Sequence, residues 1–308
     1  MSENDKILVV VEPDIHPEEV IARAAWLADL AKCELHLLMC DSDIGALREG
    51  LLVSNEAHEI ADKIFHAQTE ILDDLAAPVR EQGLVVHTRI LEERPIAEGV
   101  LHEALNLEPR FVIKGTQYHS TAERSIFVDT DWQLVRSCPY PLWLVKPHAM
   151  RKRPVIVASV DPTHSHDKPG SLDQVIVDTA QALGRASEGE VHLFHTYHRL
   201  IGVGREATRT FKPIKLPIDE LSEKIQKDHR ARLDELAAKN DIEDAQVHQL
   251  PGDTRELLPI FVRAHAADLV VMGALARWGL KRATLGSTAE KVMDHLPCDI
   301  LIVRTAED

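Results

Sequence analysis

The sequence predicts an α/β protein made of two tandem five-stranded parallel-sheet domains, each Rossmann-like, packed together as an intramolecular pseudo-dimer. Three observations carry that expectation. The chain repeats itself at one constant spacing, Gly115 matching Gly273, Pro139 matching Pro297, and Leu142-Trp143-Leu144-Val145 matching Ile300-Leu301-Ile302-Val303. Within each half, short apolar runs rich in β-branched residues alternate with stretches of helical periodicity, the pattern of βαβ units. Each half of the 308 residues is also of ordinary domain length.

The elements follow in order. Ile7 to Val11 forms the opening strand, and Pro17 begins a helix, where its missing N–H leaves nothing unsatisfied. Apolar residues at helical spacing continue that helix over 18–31. Leu35-His36-Leu37-Leu38 is a strand answered by Val191-His192-Leu193-Phe194 in the second half. That half carries strands at 155–160, 191–196, 245–250, 269–272 and 300–303, with helices at 172–186, 218–239, 255–265 and 288–295. The join falls at 148–154, a short basic stretch containing Pro154, giving domains at 1–148 and 154–308. By analogy with the dimer that single-unit proteins of this kind would form, the last strand of each half, ending near Val145 and Val303, is the expected seam.

Composition narrows the partners. Residues 1–150 carry 13 Lys+Arg against 26 Asp+Glu, whereas 151–308 carry 22 against 24, so the first half repels polyanions. Nucleic acid and anionic membrane are excluded on that ground, and the second half tolerates a phosphate. No run approaches membrane-spanning length and the start does not read as a signal peptide, so a cytoplasmic location is expected. Cys33, Cys40, Cys138 and Cys298 lack CxxC spacing and read as buried thiols.

The most chemical feature is a glycine-bearing loop after the fourth strand of the second half: Gly273, Ala276, then Gly286-Ser287-Thr288. In open α/β sheets ligands bind beyond the carboxyl ends of the strands, where Asp161, Thr196 and this loop converge. Gly273 turns the chain, Gly286 admits a phosphate against bare backbone, and Ser287 with Glu290 forms a capping box whose free N–H groups face an anion. Arg277, Lys281 and Arg282 add positive charge. The corresponding first-half loop holds Tyr118 and Val128-Asp129 instead, with Asp129 and Asp131 at a helix N-terminus and Glu12 standing where Asp161 stands.

The fold order, Asp161 and the G-x-x-G-x9-G-[ST] spacing resemble the universal stress proteins, here in tandem. The resemblance implies the adenine nucleotide alpha hydrolase-like fold and an adenine nucleotide, ATP or a related one, in the second domain, with no metal beyond Mg carried by the nucleotide. It assigns Asp161 to the adenosine part, Thr196 to the adenine, and Gly273, Gly286, Ser287 and Thr288 to the phosphates. Ala276 departs from the pattern, adding a methyl where the family has glycine. The first domain is then a packing partner or the binder of a different, amphipathic ligand.

Other chemistry finds little support. His192, His195 and His198 lie on a strand, where His195 points away from the other two, and those two stand about 20 Å apart, too far for one ion. His164-Ser165-His166 reads as a solvated loop, and no structural zinc is expected. No GxxxxGK[ST], G-x-S-x-G or HExxH motif occurs, so the expected function is nucleotide-linked stress response without a dedicated reaction. The alternatives are a scaffold that binds no nucleotide and a slow ATPase. The sequence leaves association of two chains open.

Overall fold

A computed structural model describes residues 5–41, 44, 55–92, 95–116, 130–163, 170–197, 218–274, 292–293 and 295–305. The first half contains β1 (Lys6–Val11), α1 (Pro17–Ala31), β2 (Glu34–Cys40), α2 (Asn55–Glu81), β3 (Val86–Leu91), α3 (Ile96–Leu107), β4 (Phe111–Gly115), α4 (Thr130–Ser137) and β5 (Leu142–Val145). The second contains β6 (Val155–Ser159), α5 (Gly170–Ser187), β7 (Glu190–Tyr197), α6 (Ile218–Lys239), β8 (Val247–Pro251), α7 (Thr254–Ala264), β9 (Leu269–Gly273) and β10 (Asp299–Val303). The expected strand at 245–250 starts two residues late, because residues Asp244–Gln246 close a 3-10 turn.

The strands form one ten-stranded sheet in the order β3-β2-β1-β4-β5-β10-β9-β6-β7-β8. Every pairing within a half is parallel; the two halves meet through antiparallel β5 and β10, Trp143 opposite Leu301. The expected seam is therefore a shared sheet, and the strand order reads symmetrically outward from it. Central strands are buried along their whole length because both faces are covered. One face packs Val20, Ile21, Leu72, Leu172, Ile176 and Leu233 from α1, α2, α5 and α6. The other packs Val100, Leu134, Leu258 and Phe261 from α3, α4 and α7. Both cores run across the seam without interruption.

The joint between halves is held by two buried acids. Asp299, fully buried at the start of β10, accepts from Arg23 Nε of α1 at 2.5 Å, Trp143 Nε1 at 2.9 Å and the Lys146 amide at 3.0 Å. His148 Nε2 lies 3.0 Å from Oδ1, the oxygen that accepts from the Lys146 amide, and Arg23 also donates to the His148 carbonyl at 3.1 Å. Asp268, just before β9, accepts from Arg151 Nε at 2.9 Å and from the Val155 amide at 2.8 Å. The basic character of the linker thus has a structural purpose: it binds the second half's carboxylates. Cys33, Cys138 and Cys298 are buried, Cys40 is half-buried, and none forms a disulfide. Burial pushes the Cys138 thiol up to about 11 and Cys298 higher still.

Removing one partner of a buried ion pair strands the other charge, so Arg23→Ala should lower unfolding stability by about 3–5 kcal/mol in urea titrations. His148 should make the joint pH-sensitive. Its bond to Asp299 outweighs burial and raises its pKa. The stabilisation is then complete below the unfolded value of about 6.5 and lost as pH rises through the folded value. Denaturation midpoints should fall over that window, and His148→Gln should flatten the dependence.

Candidate functional site

The carboxyl ends of β7, β6 and β9 lie side by side, since Ser159 pairs with both Phe194 and Met272. Asp161 follows β6 by two residues, Thr196 is the penultimate residue of β7 and Gly273 is the last of β9, so three of the sequence-predicted positions share one sheet edge. The Asp161 amide donates to Asp173 Oδ1 at 3.0 Å, in the first turn of α5, and its carboxylate accepts from Thr163 at 2.7 Å. Thr196 exchanges a hydroxyl hydrogen bond with Thr254 at the start of α7. Below it, His195 contacts the Val160 carbonyl at 3.0 Å and His229 of α6 at 2.8 Å. His192 instead faces Phe261 and His248, so the two histidines do lie on opposite faces.

Gly273 serves a different purpose from the expected sharp turn. It is the last residue of β9, and a Cβ there would meet Leu172 Cδ2 at 2.6 Å and Cγ at 2.8 Å. Gly115 is matched to it: a Cβ would meet the Ile15 carbonyl at 2.7 Å and Val20 Cγ2 at 2.9 Å. Both glycines let the helix after the first strand of their half press onto the sheet edge. That explains why glycine stands here in both halves. Ala276, Gly286, Ser287, Thr288, Glu290, Arg277, Lys281 and Arg282 lie outside the described residues, as do Tyr118, Val128, Asp129, His164, His166 and His198.

In the first half the same edge is filled by the chain's own charges. Lys114, 2% exposed at the position of Met272, places Nζ 2.7 Å from Glu12 Oε2, 2.7 Å from Asp131 Oδ1 and 3.0 Å from the Gly115 carbonyl. Thr116 donates to the other oxygen of Asp131 at 2.5 Å, and His16 contacts the Thr116 carbonyl at 3.0 Å. Burial disfavours the Lys114 ammonium, but Asp131 and Glu12 outweigh it and raise its pKa. Lys146, also buried near Asp131, shifts down because burial prevails. As expected, Asp131 lies in the first turn of α4; its carboxylate in addition holds Lys114 and Thr116. The sequence reading passed over Lys114, although a lysine ending an otherwise apolar strand was its visible signal.

The symmetric ten-stranded sheet and its two corresponding edges define a tandem α/β protein of the open, Rossmann-like kind. The sequence profile of the universal stress protein family matches residues 3–146 and again 150–304, and the chain belongs to that family. Universal stress protein E of Salmonella typhi is 26% identical over 311 residues, spanning 100% of this chain and 96% of that protein. The universal stress protein E homolog of Haemophilus influenzae is 26% identical over 317 residues, spanning 98% and 97%. Among solved structures, the functionally unknown PA1789 of Pseudomonas aeruginosa PAO1 shares the fold with TM-score 0.73 at 24% identity, over 99% of this chain and 94% of that one. A universal stress protein of Archaeoglobus fulgidus shares it at 0.65 and 13%, over 98% and 99%.

Lys114→Met, which copies the second half, should strand Glu12 and Asp131 and cost about 3–5 kcal/mol in chemical denaturation. Gly273→Ala should cost about 1–3 kcal/mol by the same measurement, because Leu172 must give way.

Proposed function

We propose that the second half binds one adenine nucleotide, ATP by preference, in a cytoplasmic stress-response protein that has no dedicated catalytic reaction. The observation that carries this reading is the contrast between corresponding sheet edges. In the second half Asp161, Thr196 and Gly273 border an edge that ends in Met272; in the first, Lys114, Glu12, Asp131 and Thr116 occupy the equivalent ground. A nucleotide entering the first half would have to break a buried ion-pair network. Entering the second, it would meet Asp161 and the loop that begins at Gly273.

The resemblance to the family supports the ligand class. Gly286, Ser287 and Thr288 would surround the phosphates, with Ala276 accepted as a small residue where the family has glycine, and any Mg would arrive with the nucleotide. Thr196 would present its backbone to the adenine, and Asp161 its carboxylate to the adenosine. The domains would divide at 1–148 and 154–308, the first serving as structural partner. No described helix is long and apolar enough to cross a membrane. The four cysteines without a disulfide suit a reducing compartment.

Equilibrium dialysis with labelled ATP should show saturable binding of one nucleotide per chain, weakened at least about tenfold by Gly286→Asp, or about 1.4 kcal/mol. Lys114→Met should leave the stoichiometry at one. No saturable binding at millimolar ATP would sink the proposal and favour the scaffold reading.

A further inference from the structure

The opposite end of the sheet carries a side-chain constellation that the nucleotide site does not use. His36 on β2 and His87 on β3 are direct cross-strand partners, and Glu34 precedes His36 by two residues on the same face. The imidazoles stack with ring centroids 4.6 Å apart at 26°. Glu34 Oε2 lies 3.4 Å from His87 Nε2 and 3.9 Å from His36 Nε2, and one ligand atom from each of the three falls within 4.8 Å of the others. His36 Nε2 is shielded from solvent yet makes no hydrogen bond among the described residues, a nitrogen 3.9 Å from the carboxylate. Glu34 and His87 remain about half exposed, which leaves an open approach.

We propose that Glu34, His36 and His87 form a surface site for one divalent transition-metal ion of the zinc class. Imidazole nitrogens and a carboxylate are the ligands such an ion prefers, at about 2.0–2.2 Å each, and tetrahedral coordination places ligand atoms about 3.4 Å apart. The observed separations need only small adjustment. Convergence of the two nitrogen lone pairs asks for rotation about χ2 of the histidines, a broad torsion. A fourth position opens to solvent.

The second half shows what the same motif becomes when it is sealed. Glu190-Val191-His192 on β7 repeats Glu34-Leu35-His36, and Val247-His248 on β8 repeats Val86-His87. There His192 Nδ1 meets His248 Nε2 at 3.0 Å, His192 Nε2 meets Glu190 at 3.1 Å, and Phe261 of α7 packs on His248 with centroids 4.7 Å apart. The rings are satisfied by each other and capped by an aromatic. At the position of Phe261 the first half carries Glu103, an acid bound to Arg89 at 2.6 Å, which adds negative charge near His36 instead of a lid. Glu34, His36 and His87 therefore keep an open site where their repeats closed it.

The test is isothermal titration of ZnCl2 into the full-length chain, tag-free and stripped with chelator, in a non-coordinating buffer at about pH 7.5, above the usual histidine range. One equivalent should bind, with affinity falling about tenfold or more in Glu34→Gln and in His87→Ala. His87 is exposed, so its loss spares the fold, which far-ultraviolet circular dichroism would verify. His248→Ala should leave binding unchanged, and Co2+ should give a visible spectrum of nitrogen and oxygen ligation that His87→Ala removes. Absence of saturable Zn2+ binding overturns the proposal, as does binding that survives both His36→Ala and His87→Ala or that is lost in His248→Ala. ATP binding should be indifferent to all of these changes, so the two sites stand or fall separately.

Discussion

Burying a carboxylate without partners costs several kcal/mol, and Asp299 is buried completely at the line where two domains become one sheet. Its partners come from α1, β5 and the linker, so the charge is satisfied only when β10 lies antiparallel to β5 with α1 seated across them. Hydrophobic packing at the seam is permissive, since apolar strands accept more than one register. Asp299 is not permissive. Its four contacts select one register and one linker path, and Asp268 fixes the other end of that path through Arg151 and the Val155 amide.

Once the halves are held in this way, their equivalent edges can be compared directly. Gly115 and Gly273 are the shared element, because α1 and α5 press equally close to their strands. What differs is the residue before each glycine. Met272, next to last in β9, has an apolar side chain, whereas Lys114, next to last in β4, has a buried ammonium that draws Glu12 and Asp131 onto itself. Glu12 and Asp131 are neutralised internally by Lys114.

The amino ends of the strands diverge by the same logic. Glu34, His36 and His87 repeat in Glu190, His192 and His248, but a phenylalanine covers one copy and a glutamate accompanies the other. One copy is thereby part of the aromatic core of α7, and the other stays accessible. Duplication supplied two similar sets of side chains, and the covering helix decided which set remained open.

Periodicity and the internal repeat made the fold legible: the strands and the helices at 17–31 and 218–239 follow from local pattern, and the seam at Val145 and Val303 was expected by analogy with paired single-domain proteins. The order in which Asp161, Thr196 and Gly273 reach one edge was legible too, because parallel α/β connectivity fixes which strand ends are neighbours. The sequence could not pair Arg23 with Asp299, Lys114 with Asp131, or His36 with His87. Such contacts join residues from different elements, and their energies depend on burial and on distances of a few ångströms that exist only after the chain has packed. Local pattern determined the elements and their topology by itself; which charges meet, and which site stays open, was decided by tertiary structure, because desolvation makes an electrostatic contact strong only where the fold has removed water.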